Sequence, residues 1–131
     1  MRYLLDTHIL LWSFFEPKRL SSNVQAVLLD EENVIYYSPI SLWEISIKYS
    51  LGKLNLKGLT PEEFYDELDA SCYLCHDIEN RDIVSNYHLP FLHKDPFDRF
   101  LIWEALQNGL IFITVDESID EYKSFGLKIE K

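Results

Sequence analysis

Four acidic residues, far apart along the chain, have the type and setting to hold a metal ion. They are Asp6, Glu44, Asp98 and Asp116. Asp6 directly follows the apolar segment Tyr3–Leu5, and Asp116 directly follows Leu110–Val115, which is apolar and rich in β-branched residues. Carboxylate oxygens are the ligands that hard divalent ions such as Mg²⁺ and Mn²⁺ prefer. The first hypothesis is therefore metal-dependent chemistry.

The elements that carry these acids predict that they meet at one edge of a sheet. Short apolar strands alternate with helical patterns, which favours an α/β sandwich on a parallel sheet. The predicted strands are Tyr3–Leu5, Val34–Tyr37, Tyr73–His76, Leu110–Val115 and Leu127–Ile129. Two of the acids end strands, Asp98 begins a helix, and Glu44 lies on a helix that follows a strand. Sites in open parallel sheets form outside the carboxyl ends of the strands.

The helix that carries Glu44 begins after Ser38-Pro39, with Pro suited to its first position. Its predicted inward stripe, at helical spacing, consists of Ile40, Trp43, Ile47 and Leu51. Lys48 follows Glu44 by one turn and can pair with it, so a purely structural role for Glu44 stays open. Simple structural roles are also open for Asp98, as a helix cap, and for Asp116, as a turn residue.

Four unneutralised carboxylates in one place would repel each other by about 4 kcal/mol for each close pair near a surface. A cation must therefore lie among them, and an all-oxygen ligand set predicts Mg²⁺ or Mn²⁺ rather than zinc. Such a site suits phosphodiester hydrolysis, because the ions lower the pKa of a bound water and neutralise charge on the transferring phosphate.

Composition sets the limits for these hypotheses. The 131 residues predict one domain, 1–131, and 47% hydrophobic and 15% aromatic residues argue against disorder. No apolar run has the roughly 20 residues of a membrane span, and no leader pattern opens the chain, so we expect a cytoplasmic protein without a membrane partner. The net charge of −10 disfavours nucleic acid as a partner unless bound ions reverse the local charge.

Other functions fit the sequence less well. A haloacid-dehalogenase-type phosphohydrolase needs a second Asp two residues after its nucleophile, where this chain has His8. The lone pair Cys72 and Cys75 predicts small buried core residues rather than a zinc or redox site. A non-catalytic binding module, which holds a structural metal or a basic peptide on its acids, stays open.

Four motifs in order resemble the PIN-domain family, and within it the VapC-type ribonuclease toxins of prokaryotic toxin–antitoxin pairs. They are Asp6-Thr7-His8, Ser41-x-Trp43-Glu44, Asp95-Pro96-Phe97-Asp98-Arg99 and Thr114-x-Asp116. The resemblance covers the whole chain. It implies a three-layer α/β/α sandwich with a central, mainly parallel five-stranded sheet.

The resemblance also implies roles for particular residues. The family's acidic quartet corresponds to Asp6, Glu44, Asp98 and Asp116, as catalytic residues and as ligands of Mg²⁺ or Mn²⁺. The supporting residues are Thr7, Ser41, Asp95, Arg99 and Thr114; Arg99 is expected to steady a carboxylate or to contact a phosphate. The implied activity is that of a toxin cleaving single-stranded RNA by metal-activated water. The implied partners are a VapB-like antitoxin and a second copy of the chain, with Trp12, Phe14 and Phe15 as candidates for the dimer interface.

Overall fold

A five-stranded parallel sheet organises the protein in the computed structural model, which describes residues 1–131. The strands are β1 (Arg2–Leu5), β2 (Val34–Tyr37), β3 (Leu74–Cys75), β4 (Ile111–Ile113) and β5 (Ile129–Glu130). Their order in the sheet is β3-β2-β1-β4-β5, and every neighbouring pair is parallel. The prediction of a mainly parallel five-stranded sheet is confirmed. Because β1 lies between β2 and β4, the chain changes direction across the sheet beside β1, where ligand sites form in such folds.

Helices cover both faces of the sheet. The α-helices are α1 (Thr7–Phe15), α2 (Ser22–Leu29), α3 (Pro39–Ser50), α4 (Pro61–Asp69), α5 (Asn80–Ser85) and α6 (Pro96–Asn108). Short 3₁₀ segments span Pro17–Arg19, Asn86–His88 and Glu117–Phe125. No helix combines the length and apolar character that a membrane crossing needs.

Alternate residues of β1 point to opposite layers, as the two-residue period of a strand requires. Tyr3 and Leu5 join one buried cluster with side chains of α1, α2 and α4. Leu4 joins a second buried cluster with side chains of α6 and of the 3₁₀ segment after β4. The two clusters, one on each face, make the three layers of the sandwich.

Local signals in the sequence fix the ends of the helix that carries Asp98. The Asp95 side chain caps α6 by accepting hydrogen bonds from the backbone N–H groups of Phe97 and Asp98, at 2.8 and 3.1 Å. Gly109 ends the helix in the left-handed conformation, with φ of 65°. These two ends place Asp98 in the first turn of α6, next to the edge of the sheet.

Two predictions about burial are wrong. On α3 the buried residues are Ser41, Glu44 and Ile45, whereas Trp43 is 59% exposed. The polar residues of this helix face the carboxyl edge of the sheet, so the apolar stripe does not mark its inner side. Cys72 and Cys75 are both exposed and free; Cys75 is exposed because β3 is a two-residue strand at the edge of the sheet.

Candidate active site

The four predicted acids lie at the carboxyl-terminal edge of the sheet. Asp6 follows β1 directly, Asp116 lies just beyond β4, and Glu44 and Asp98 come from the amino-terminal halves of α3 and α6. Burial raises the pKa of Asp98 to about 8, together with the negative charges of the other three acids and of Asp95. The acids are therefore close enough to interact electrostatically.

Asp6 is the most fixed member of the cluster. Its residue is 3% exposed, its backbone N–H donates to the carbonyl of Ile113, and its Oδ2 accepts a 2.7 Å hydrogen bond from Thr114 Oγ1. Its Oδ1 is buried and has no hydrogen-bond partner. Burial raises the pKa of Asp6, although the hydrogen bond from Thr114 opposes that shift. The free oxygen is the kind of group that a cation satisfies.

Glu44 is 2% exposed and pairs with Lys48, as its spacing on the helix predicts. Lys48 Nζ lies 2.5 Å from Glu44 Oε2, while the buried Oε1 has no partner. Burial lowers the pKa of Lys48, but the hydrogen bond to Glu44 and its charge outweigh that effect and raise it. The lysine thus stays charged and neutralises one carboxylate of the cluster.

Asp116 is the most accessible of the four acids and the most completely hydrogen-bonded. Its Oδ1 accepts bonds from the backbone N–H and the hydroxyl of Ser118, at 3.0 and 2.7 Å. Its Oδ2 lies 3.1 Å from Nε2 of His93. Burial raises its pKa, but the hydrogen bonds from Ser118 and His93 more than offset this, so the pKa is lowered. Asp116 is therefore an anion at neutral pH.

The three predicted hydroxyl residues lie directly beneath the acids. Thr7 Oγ1 and Ser41 Oγ form a buried 2.8 Å hydrogen bond that joins the starts of α1 and α3, next to Asp6 and Glu44. Thr114 donates to Asp6 and also accepts from the backbone N–H of Asp116 at 3.1 Å. These hydroxyls fix the helices and the side chain of Asp6, as expected for groups that orient metal ligands.

Arg99 has neither of its expected contacts. Its guanidinium is buried and donates to the carbonyls of Leu89 and Pro90, both at 3.1 Å, and lies 4.5 Å from the centre of the Phe91 ring. It forms no ion pair with a carboxylate. The expectation that Arg99 steadies an acid or meets a phosphate is therefore not supported, because backbone carbonyls of the preceding loop satisfy its donors. Sequence spacing does not show which carbonyls a loop presents.

His93 is the site residue that the sequence reasoning missed. Its Nε2 lies 3.1 Å from Asp116 Oδ2 and 3.5 Å from Asp98 Oδ2. One potential ligand atom each from His93, Asp98 and Asp116 lies within 4.8 Å of the others. His93 stands only two residues before Asp95, so its position at the start of the Asp-Pro-Phe-Asp motif was the signal available.

A shallow cleft of about 280 Å³ opens beside Glu44. Its wall includes Thr7, His8, Glu44, Lys48, Lys53 and Leu54. Lys48 and Lys53 supply positive charge beside Glu44, although the net charge of the whole chain is −10. Lys53, which the sequence reasoning did not select, lines this cleft together with Glu44 and Lys48.

The donor set of this edge fits a divalent cation. The acids offer only carboxylate oxygens, which hard ions select. Two of these oxygens, on Asp6 and Glu44, are buried without a partner, and a single lysine ion pair offsets the charge of the cluster. A cation at this edge would satisfy the free oxygens and relieve the repulsion that, together with burial, raises the pKa of Asp98.

Solved structures of three bacterial complexes contain a chain with the same fold. The matches are VapBC2 from Rickettsia felis bound to a promoter DNA fragment, DNA-bound VapBC from Salmonella typhimurium, and VapBC-1 from nontypeable Haemophilus influenzae. The TM-scores are 0.68, 0.67 and 0.66 at 21%, 17% and 18% identity, in the same order. The matches cover 99%, 99% and 100% of this chain and 98%, 97% and 98% of the others.

Sequence comparison identifies the family, although no curated protein sequence matches the chain. The profile of the PIN domain matches residues 3–124, which include all four acids and all of the sheet except the first residue of β1 and the strand β5. That span exceeds nine-tenths of the chain, and it agrees with the sheet order and with the acidic edge described above. The chain belongs to the PIN domain family.

Proposed function

We propose that this PIN domain is a divalent-metal-dependent endoribonuclease that cleaves single-stranded RNA, and that it is the VapC-type toxin of a toxin–antitoxin pair. The observation that carries the proposal is the excess of carboxylates over cations at the carboxyl edge of the sheet. Asp6, Glu44, Asp95, Asp98 and Asp116 all act on one site, which holds one lysine ion pair. A cation from outside the chain would neutralise this cluster in place of the protons that the acids otherwise hold.

Asp6, Asp98 and Asp116 would hold Mg²⁺ or Mn²⁺, with Glu44 completing the ligand set. When bound, such an ion lowers the pKa of a water molecule and neutralises charge on a transferring phosphate. The chain's own part is to orient and to hold protons. Thr114 fixes the Asp6 carboxylate through Oδ2 and leaves Oδ1 free, and Lys48 does the same for Glu44 through Oε2. Asp98, with a pKa of about 8 in the metal-free protein, holds a proton at neutral pH that a cation would displace.

Single-stranded RNA as the substrate is supported by the surroundings of the acids. Lys48 and Lys53 line the cleft beside Glu44, where phosphates would be attracted. Trp43 is 59% exposed and packs edge-on against Phe97, with ring centres 5.3 Å apart. Each of these aromatic residues directly precedes an acid of the cluster, so a base next to the reacting phosphate could stack on the exposed indole.

We also propose the two protein partners that the resemblance implies. A VapB-like antitoxin is supported by the structural neighbours, which are VapBC complexes. An acidic site would suit an antitoxin that inserts Arg or Lys. For the homodimer, Trp12, Phe14 and Phe15 are the candidates from the sequence, and all three are partly buried against the core. The exposed apolar side chains of the region after α5, Tyr87 and Phe91, at 77% and 71% exposure, are better candidates.

The first test is cleavage of single-stranded RNA by purified protein. We expect cleavage with Mg²⁺ or Mn²⁺ and none with a chelator. The variant Asp6→Asn should be slower by about two to three orders of magnitude, since a metal-ligand contact worth several kcal/mol corresponds to that factor. Asp66→Asn, the same change on the exposed face of α4, is the matched control and should cleave normally. Equal cleavage by Asp6→Asn would contradict the proposal.

The target would be found by mapping new RNA 5′ ends in cells that briefly express the wild-type chain or Asp6→Asn. Discrete ends seen only with the wild type would identify the RNA substrate and its cleavage sites. If the folded wild type binds Mg²⁺ or Mn²⁺ but produces no new ends and cuts no RNA in the tube, the acids serve a binding module instead.

A further inference from the structure

The imidazole of His93 lies between two acids of the cluster that come from different elements. Its Nε2 is 3.1 Å from Asp116 Oδ2, beyond β4, and 3.5 Å from Asp98 Oδ2, in the first turn of α6. The side chain is 14% exposed, so it is largely enclosed at this place. One group therefore spans the gap between α6 and the end of β4.

The other ring nitrogen decides what His93 can do there. The backbone N–H of Asp95 donates to Nδ1 of His93 at 3.2 Å, so Nδ1 is the nitrogen without a proton. In the neutral ring the proton is then on Nε2. The nitrogen that faces Asp98 and Asp116 is thus a hydrogen-bond donor to the Asp116 carboxylate and not a free lone pair for a metal.

A buried polar network fixes the loop that carries His93. Tyr122, which is fully buried, accepts hydrogen bonds at its hydroxyl from the backbone N–H groups of Leu92 and His93, each at 3.0 Å, and donates to the carbonyl of Pro90 at 2.7 Å. Arg99 donates to the carbonyls of Leu89 and Pro90, both at 3.1 Å. A buried guanidinium is costly unless its donors are satisfied, and here loop carbonyls satisfy them. The site residue that this network places is His93.

We propose that His93 is a positioning residue that orients the carboxylate of Asp116, beside Asp98, for a divalent cation by donating its Nε2–H to Asp116, without itself binding the ion. This inference rests on the proposed function only in that the acids bind a metal. Arg99 and Tyr122 then act on the site indirectly, because their hydrogen bonds fix the loop that carries His93. Hydrogen bonds that orient metal-binding carboxylates commonly change metal affinity by about 10- to 100-fold when they are removed.

The experiment measures Mn²⁺ affinity by titration in the wild type, His93→Leu and His93→Gln. We expect His93→Leu to weaken Mn²⁺ binding by about 10- to 100-fold. Glutamine keeps an N–H donor near the place of Nε2, so His93→Gln should recover most of that loss. His88→Leu and His88→Gln, at an exposed histidine outside the site, are the matched controls and should bind Mn²⁺ like the wild type. Thermal unfolding of each variant shows whether it is folded.

Pulsed electron paramagnetic resonance of bound Mn²⁺ separates positioning from direct binding. We expect no nitrogen coupled to the ion in the wild type. A nitrogen coupling that disappears in His93→Gln would overturn the proposal in favour of His93 as a ligand. Wild-type Mn²⁺ affinity in folded His93→Leu, or no recovery in folded His93→Gln, would also overturn it, while leaving RNA cleavage to stand. A wild type that binds no Mn²⁺ would overturn both this inference and the proposed function.

Discussion

The protein buries carboxylates in two places at the same edge of the sheet, and they are neutralised differently. Glu104 on α6 is 1% exposed and pairs with His76, whose Nδ1 lies 2.6 Å from Glu104 Oε2. Burial raises the pKa of Glu104, and hydrogen bonds from Ser38 and His76 partly oppose this. At the acidic cluster several carboxylates share one lysine and one histidine. Glu104 therefore has one partner of its own, whereas the acids of the cluster outnumber their side-chain partners.

This difference shows which feature indicates a cation site. Glu104 also has one buried oxygen, Oε1, without a hydrogen-bond partner, just as Asp6 and Glu44 do. A single free oxygen is therefore not sufficient. The distinguishing property of the cluster is that four other acids, Asp6, Asp95, Glu44 and Asp116, add to the effect of burial in raising the pKa of Asp98 to about 8. We expect the His76–Glu104 pair to serve stability and the cluster to serve binding.

The largest expected effect comes from breaking the His76–Glu104 pair. His76→Phe keeps an aromatic ring against Tyr36 but leaves Glu104 buried without its partner. We expect the free energy of unfolding to fall by roughly 3 to 5 kcal/mol at pH 7, because the buried carboxyl group of Glu104 then loses the partner that satisfies it. Mn²⁺ affinity should not change. Chemical denaturation measures the loss of stability, and metal titration measures the Mn²⁺ affinity. A large loss of Mn²⁺ affinity in the folded variant would show that the His76–Glu104 pair also supports metal binding.

A smaller effect, which depends on pH, is expected at the acidic cluster. The pKa of Asp98 is about 8 in the folded protein against 3.8 for the ordinary side chain, so the folded state binds this proton more tightly. Its contribution to stability is full below about pH 4 and is lost as the pH rises toward 8. In the absence of metal, Asp98→Asn should therefore be more stable than the wild type at pH 8, by roughly 1 to 3 kcal/mol after solvent screening.

Denaturation of both proteins at pH 5 and pH 8 gives the measurement. The advantage of Asp98→Asn should be smaller at pH 5 than at pH 8, and saturating Mg²⁺ or Mn²⁺ should stabilise only the wild type. The same advantage at both pH values would show that Asp98 does not titrate as the structure indicates.

The smallest effect separates the two aspartates of the Asp-Pro-Phe-Asp motif. Asp95 caps α6, so Asp95→Ala should cost about 1 kcal/mol of stability, whereas Asp95→Asn should cost almost nothing because asparagine caps equally well. RNA cleavage by Asp95→Asn should stay within a few-fold of the wild type. Loss of cleavage as severe as in Asp98→Asn would instead make Asp95 a member of the ligand set.

The sequence predicted the parts of the fold that depend on short-range pattern. The strands around β1 and β4 follow from short apolar runs, and the ends of α6 follow from Asp95 and Gly109. Asp6 and Asp116 could be placed because strands of a parallel sheet end at one edge. The exposure of Trp43 could not be predicted, since helical spacing shows which residues share a face but not which face the sheet covers.

The partners of polar side chains depend on contacts between distant segments. Arg99 and His93 are close to Asp98 in sequence, yet one points into loop carbonyls and the other toward Asp116, 23 residues further along. The direction of each depends on Tyr122, which fixes the loop from the far side. A pattern in one sequence does not contain that geometry, so the acids were found and the residue between them was not.

The central claim is that the acidic cluster requires a divalent cation, and thermal unfolding with and without Mg²⁺ or Mn²⁺ tests it most directly. An ion that binds only the folded state at 100 times its dissociation constant adds about 2.7 kcal/mol to stability. We predict a clear rise in the melting temperature of the wild type, none in Asp6→Asn, and a normal rise in His76→Phe. The same melting temperature for the wild type with and without the ions would contradict the account.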